Sequence, residues 1–223
     1  MEAAALSRRD RERLARRTDI LAAARAVFAE HGYEQATLDE IAERAEFGKG
    51  TLYNYFPDGK EELFFTLFEE VVVDGIRRVI DASFPDAEPL DTPQAARNAF
   101  HGLIEGLLTH FEVNRESMMI FMKEGHRMVV SADRNEAAAL HWLGIMEAVQ
   151  RPVEAAMAHG ALRALPAHPI AHLIMSNVRG VIMAEVDAEC DPSGTFEARP
   201  LGSPTETADF ITSVLFDGLL PRD

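Results

Sequence analysis

The chain has 223 residues, 47% of them apolar and 26% charged, a balance that supports a buried core and excludes a disordered polyelectrolyte. A lone cysteine, Cys190, excludes an internal disulfide and a structural zinc cluster of several thiolates. The formal charge of −15 is uneven: residues 1–60 carry 10 Lys/Arg against 11 Asp/Glu, whereas residues 61–223 carry 12 against 26.

No run of about 18 uninterrupted apolar residues follows the N-terminus or occurs later, so a cytoplasmic protein without a membrane partner is expected. The first feature in chain order is basic. Between residues 8 and 17, Arg8, Arg9, Arg11, Arg13, Arg16 and Arg17 face only Asp10 and Glu12, a composition able to release counterions from a phosphate backbone or, alternatively, a solvated and frayed terminus.

Apolar spacings of three and four recur throughout, without sustained two-residue alternation, which predicts an all-α chain. A first helix over about 9–31 carries Ile20, Leu21, Ala24, Val27 and Phe28 on one face and stops at His31-Gly32. Thr37 opens a second, short helix with Glu40 three residues on, a capping-box spacing. A third carries Leu52 and Phe56 and ends at Pro57. Asp58 with Glu61 reads as the cap of a long fourth helix through Val79.

The Pro-rich stretch 84–93 is a linker, with Thr92-Pro93 as N-cap and first residue of a fifth helix. Helices five, six and seven are expected over about 93–112, 115–130 and 134–160, with Pro152 kinking or breaking the last. Pro166 and Pro169 bracket the start of an eighth, the segment 190–204 is a loop, and Ser203-Pro204-Thr205-Glu206 caps a ninth.

Two short helices joined by a tight turn suit a reader of the DNA major groove. The run from Thr37 to Ala45, the segment Lys49-Gly-Thr-Leu-Tyr-Asn-Tyr-Phe56, Lys60-Glu-Glu-Leu63 and His31-Gly-Tyr33 together resemble the signature of the TetR family of transcriptional regulators. The resemblance is strong over residues 16–68 and architectural beyond. It implies a three-helix DNA-binding head with a helix-turn-helix at 1–60 and a larger helical domain for effector binding and dimerisation at 61–223.

The resemblance also implies roles. Thr37 would dock a phosphate at the start of the second helix, and Lys49, Gly50 and Thr51 would open the recognition helix against bases and backbone. Tyr53 and Tyr55 match aromatic positions that touch phosphate or base methyls, with packing between helices as the alternative. Lys60 matches a backbone-clamping lysine, though Asp58-Gly59 makes the spacing before it one residue longer than usual. Two residues depart from the family pattern: Glu46 stands where the turn carries a small residue, and Gly48 stands where a serine or threonine caps the recognition helix.

Eight histidines are scattered without a His-Glu-x-x-His spacing or thiolate partners, and neither a phosphate loop nor a Gly-x-Ser-x-Gly elbow is present. No cofactor and no metal site are expected. The reading is a regulator, a repressor in the first instance, released from a palindromic operator by a small apolar ligand. Phe100, Phe111, Met118, Met122 and Trp142 would wall the ligand pocket, with His126 or His141 as its polar contact. The alternative for the same residues is ordinary core. Ile174, Val178 and Ile182 with Ile211 and Leu215 would form a homodimer interface, or else close the monomer core. The rival functions are a DNA-binding protein whose C-terminal domain recruits a protein partner without a small ligand and, further off, a metal-dependent enzyme.

Overall fold

The structure, a computed structural model, describes residues 7–85, 89–128, 132–190 and 202–218, with the side chains of 122–139 and 189–190 outside that description. Among the described residues every element is helical. In chain order these are α1 (Arg8–Gln35), α2 (Leu38–Arg44), α3 (Lys49–Tyr55), α4 (Lys60–Phe68), a π-helical turn (Glu69–Val73), α5 (Asp74–Ser83), α6 (Pro93–Val113), α7 (Arg115–Met128), α8 (Ala132–Ala158), α9 (Ala167–Cys190) and α10 (Pro204–Thr212), which runs into a second π turn (Ser213–Asp217).

Several boundaries follow the sequence signals. Thr92 and Ser203 cap α6 and α10 with proline in the first turn, as their spacing predicts. At Gly32 the helical backbone breaks (φ +72°, ψ 169°), where the His31-Gly32 stop is expected, and a short further turn runs on to Gln35. Two expectations need correction. Gly59, at φ +68°, is the N-cap of α4 and offers no side chain, so the cap expected from Asp58 and Glu61 is replaced by the Glu62 carboxylate accepting the Asp58 backbone N–H at 3.0 Å. The single fourth helix is interrupted by a π turn at Glu69–Val73, while α8 runs without a break through Pro152.

The chain divides into two compact units, residues 1–72 with 116–128 and residues 73–115 with 129–223. The first therefore holds more than the 60 residues expected of the head, because α4 and most of α7 belong to it. Its core joins Ile20, Ala24 and Phe28 of α1 to Ile41, Leu52, Leu63 and Phe64. Phe64 is the hub: its ring meets Phe28, Tyr33 and Phe121 edge-on at centroid distances of 6.0, 4.9 and 5.1 Å, the geometry that ring quadrupoles favour.

In the second unit α6 packs against α5, α9 and α10. Phe100, Leu103, Ile104, Val149, Val153, Ile174 and Ala208 share its core. Close approach of α5 and α6 depends on two glycines: a Cβ on Gly75 would strike the His110 ring, and one on Gly106 would lie 2.7 Å from Val79 Cγ1. Arg115 and Glu185 form a largely buried ion pair at 2.6 Å, with the guanidinium also 5.7 Å from the centre of the Phe111 ring.

Candidate nucleic-acid interface

Helix α2 is held by the capping box that its spacing predicts. The Thr37 hydroxyl accepts from the Glu40 N–H at 3.2 Å, and the Glu40 carboxylate accepts the Thr37 N–H at 2.9 Å and its hydroxyl at 2.8 Å. These bonds hold the Glu40 carboxyl below the usual carboxylate range. Thr37 remains exposed at the helix N-terminus, where the free N–H groups and the helix dipole favour an anion.

The turn closes through Phe47 N–H donating to Ala42 O at 3.0 Å, which places Glu46 at φ +58°, in the left-handed region that ordinarily selects glycine. Arg44 then reaches back to Glu30 in a two-pronged contact at 2.7 Å for each bond, and the guanidinium holds the Glu30 carboxyl low. Helix α3 begins without any side-chain cap at Gly48.

Two turns leave α3 with one buried face and one free face. Leu52 and Phe56 are each 1% exposed and anchor it. Lys49, Gly50, Tyr53 and Asn54 lie exposed at spacings of one and four, while Thr51 and Tyr55 are half-buried at the flanks. Nothing in the chain lies within 4 Å of where a Cβ on Gly50 would stand, so the fold itself does not demand glycine there. Lys49 donates to Asp39 at 2.9 Å, which raises its pKa and holds the ammonium at the entrance to α3.

Lys60 is placed differently from the other cations. Its ammonium donates to the carbonyls of Tyr33, Glu34 and Ala36 at 2.8, 3.1 and 3.0 Å and lies 4.5 Å from the Tyr33 ring centre. The lysine thus satisfies carbonyls at the end of α1 and leaves no N–H for a phosphate in this geometry. One exposed residue of α3 was not singled out from the sequence, and one arginine of the basic stretch has a contact that the sequence did not specify. Asn54 shares the free face of α3, and was legible as four residues beyond Gly50. Arg13 lies over the Tyr55 ring at 6.0 Å, a contact that the sequence signals only as an arginine in register with the buried face of α1.

The residues expected to wall a ligand pocket are divided between the two units. Phe100 and Phe111 are buried in the second unit at 0% and 3% exposure, Met118 is buried in the first unit, His141 is half-buried and Trp142 is 38% exposed. The Met122 and His126 side chains lie outside the described residues. Phe100 borders a cleft of about 530 Å³ whose lining includes Ile170, Ile174, Leu215 and Phe216 together with Arg97 and Arg163. Of the residues expected at a dimer interface, Ile174, Val178 and Ile211 are buried within the chain at 2%, 3% and 4%, while Ile182 and Leu215 are half-buried. Among the described residues, the large exposed apolar side chains of α9 and α10 are Leu173 and Phe210, at 52% and 53%.

Comparison with known proteins places this geometry. Residues 20–67 match the model of the bacterial regulatory proteins of the tetR family. The transcriptional activator FasR of Mycolicibacterium smegmatis is 37% identical over 93 residues, 40% of this chain and 41% of FasR. The transcriptional repressor AcnR of Corynebacterium diphtheriae is 46% identical over 55 residues, 25% of this chain and 28% of AcnR. The chain thus spans less than half the length of these relatives. Among solved structures, the regulator FadR of Bacillus subtilis in complex with stearoyl-CoA superposes with a TM-score of 0.70 at 18% identity, covering 91% of this chain and 99% of FadR.

Proposed function

Since residues 20–67 are a head of the TetR family, on a chain with the fold of such regulators, we propose that this protein is a homodimeric transcriptional repressor that binds a palindromic operator and leaves it when a small, largely apolar ligand binds. The observation that carries the DNA-binding part is the free face of α3. It presents an ammonium, a glycine, a phenol and an amide to solvent from a helix whose opposite face is anchored by Leu52 and Phe56. Open space in front of Gly50 supports it further, because the missing Cβ serves nothing within the chain and suits close approach to a partner's backbone.

In this reading Thr37 and the α2 N-terminus meet a phosphate, Lys49, Thr51 and Tyr53 reach base edges or backbone, and Tyr55 supports α3 from its flank. Lys60 positions the head by closing α1. The domain from 61 onward takes the ligand and the second copy. FadR, of the same fold, holds stearoyl-CoA, so this architecture accommodates an apolar chain. The cleft beside Phe100, about 530 Å³, is within the usual size range of ligand sites. Leu173 and Phe210 supply exposed apolar contact for a partner copy alongside Ile182 and Leu215.

Gly50→Ala separates function from fold. Alanine is favoured in a helix over glycine by about 1 kcal/mol, so the variant should melt no lower than the unaltered chain yet bind duplex DNA more weakly in gel-shift titration. Lys49→Ala should relax base preference by about 1–3 kcal/mol at the position it reads. Unchanged affinity and preference in both variants would remove α3 from the DNA interface. For the dimer, Leu173→Asp with Phe210→Asp should sediment as a helical monomer; a persisting dimer would place the interface elsewhere.

A further inference from the structure

Resting on the DNA-binding reading, we infer that the first three turns of α1 form a second DNA contact, an arginine strip that grips the sugar-phosphate backbone beyond the base pairs met by α3. The inference starts from a change along one helix face. At 100° per residue, positions 9, 13, 16, 20, 24 and 27 fall on the same side of α1. From Ile20 onward that side is core: Ile20, Ala24 and Val27 are 0%, 0% and 2% exposed. Before Ile20 the same side is arginine and faces solvent, with Arg9, Arg13 and Arg16 all exposed.

Helix α1 does not fray into this region. Ser7 caps it, accepting from the Asp10 N–H at 3.2 Å, and Arg8 pairs with Glu12 at 2.8 Å. The strip therefore runs as continuous helix for about 18 Å ahead of Ile20, roughly the rise of five base pairs along a strand. Its position beside α3 is fixed by two ring contacts. Arg13 lies over Tyr55 at 6.0 Å, and Arg17, paired with Glu70 at 2.8 Å, lies over Phe56 at 5.4 Å. The arginines thus begin where the recognition helix ends.

The charges on the strip are not neutralised from within. Among the described residues neither Arg9 nor Arg16 makes a hydrogen bond or ion pair. The nearby acids are otherwise placed: Asp10 caps with Ser7, Glu12 pairs with Arg8, and Asp19 lies about 100° round the helix from Ile20. A helix face that is apolar where protein covers it and cationic where protein stops is suited to a polyanion. Duplex DNA, already met by the adjoining helix, is the one this position selects. Such contacts read no sequence; they add affinity through released counterions and lengthen the operator.

The test compares Arg9→Ala/Arg16→Ala with Arg25→Ala, which removes an arginine from the far side of the same helix. The probe is a 30-base-pair duplex chosen by the unaltered protein from a randomised pool, titrated by fluorescence anisotropy between about 50 and 200 mM salt. The double variant should lower the slope of log K against log salt by about 1.8, shorten the hydroxyl-radical footprint, and keep the preference over a scrambled duplex. Arg25→Ala should leave slope and footprint as they are. A double variant that keeps its slope and footprint, or loses preference for the chosen duplex, overturns the strip while leaving the recognition helix in place. An unaltered protein that selects no duplex at any salt overturns the DNA-binding reading, and the strip with it. Alanine is the best helix former, so α1 survives both changes.

Discussion

The two short helices of the helix-turn-helix and the long helices of the second unit are the same kind of amphipathic helix, and their difference in length decides how much each residue reveals. Helices α2 and α3 have seven residues each. With two turns apiece, a pair of buried anchors settles which face looks outward, and what remains exposed is available to a partner. Helices α6, α8 and α9 have 21, 27 and 24 residues and meet several neighbours at once. An apolar side chain there could equally face core, ligand or a second copy. The lesson is that a short capped helix encodes its own orientation, whereas a long one receives it from its neighbours.

The strongest way to break this contrast is to insert charge where long-helix residues were read as interface. Ile174→Asp should bury an unpaired carboxylate in the core of the second unit and cost several kcal/mol, seen as loss of helical circular dichroism. A helical, monomeric Ile174→Asp protein would show instead that this residue faces a partner. Next is Phe100→Ala, expected to cost about 3–5 kcal/mol in urea unfolding because Phe100 is fully buried against Phe84 and Phe216. A cost below about 1 kcal/mol would mark it as the wall of a space already open, the ligand-pocket reading.

The contrast sharpens in the turn of the head. Glu46→Gly should raise stability by about 1 kcal/mol, since glycine adopts the left-handed backbone without the Cβ clash that glutamate carries. An unchanged or lower urea midpoint would mean that the strain is compensated at Glu46 itself. The smallest effect is expected where both regions use one device. Glu40 and Glu206 are held below the ordinary carboxylate value of 4.5 by Thr37 and Ser203 respectively. Their folded-state pKa values lie below the unfolded ones, so the stability they contribute is fully present above pH 4.5 and lost as pH falls through the lowered values. Exchange of the Glu40 and Glu206 amides should accelerate over that acid window, and Glu40→Gln with Glu206→Gln should remove the pH dependence. Equal acceleration in the variants would trace it to other carboxyls.

Periodicity, caps and the residues from Thr37 to Leu63 determined the helical class, the capped starts of α2, α6 and α10, and the pair of short helices with its buried Leu52 and Phe56. All of these are set by contacts within a few residues along the chain, so their signal is local. Tertiary structure alone decided the rest. It turned Lys60 onto the carbonyls of Tyr33, Glu34 and Ala36, brought Phe121 of α7 onto Phe64 and Phe68, and buried Ile174 and Ile211 while leaving Leu173 and Phe210 outside. In each case the deciding partner lies far along the chain or on another helix. Apolar spacing states that a face must be covered; only the packed chain states what covers it.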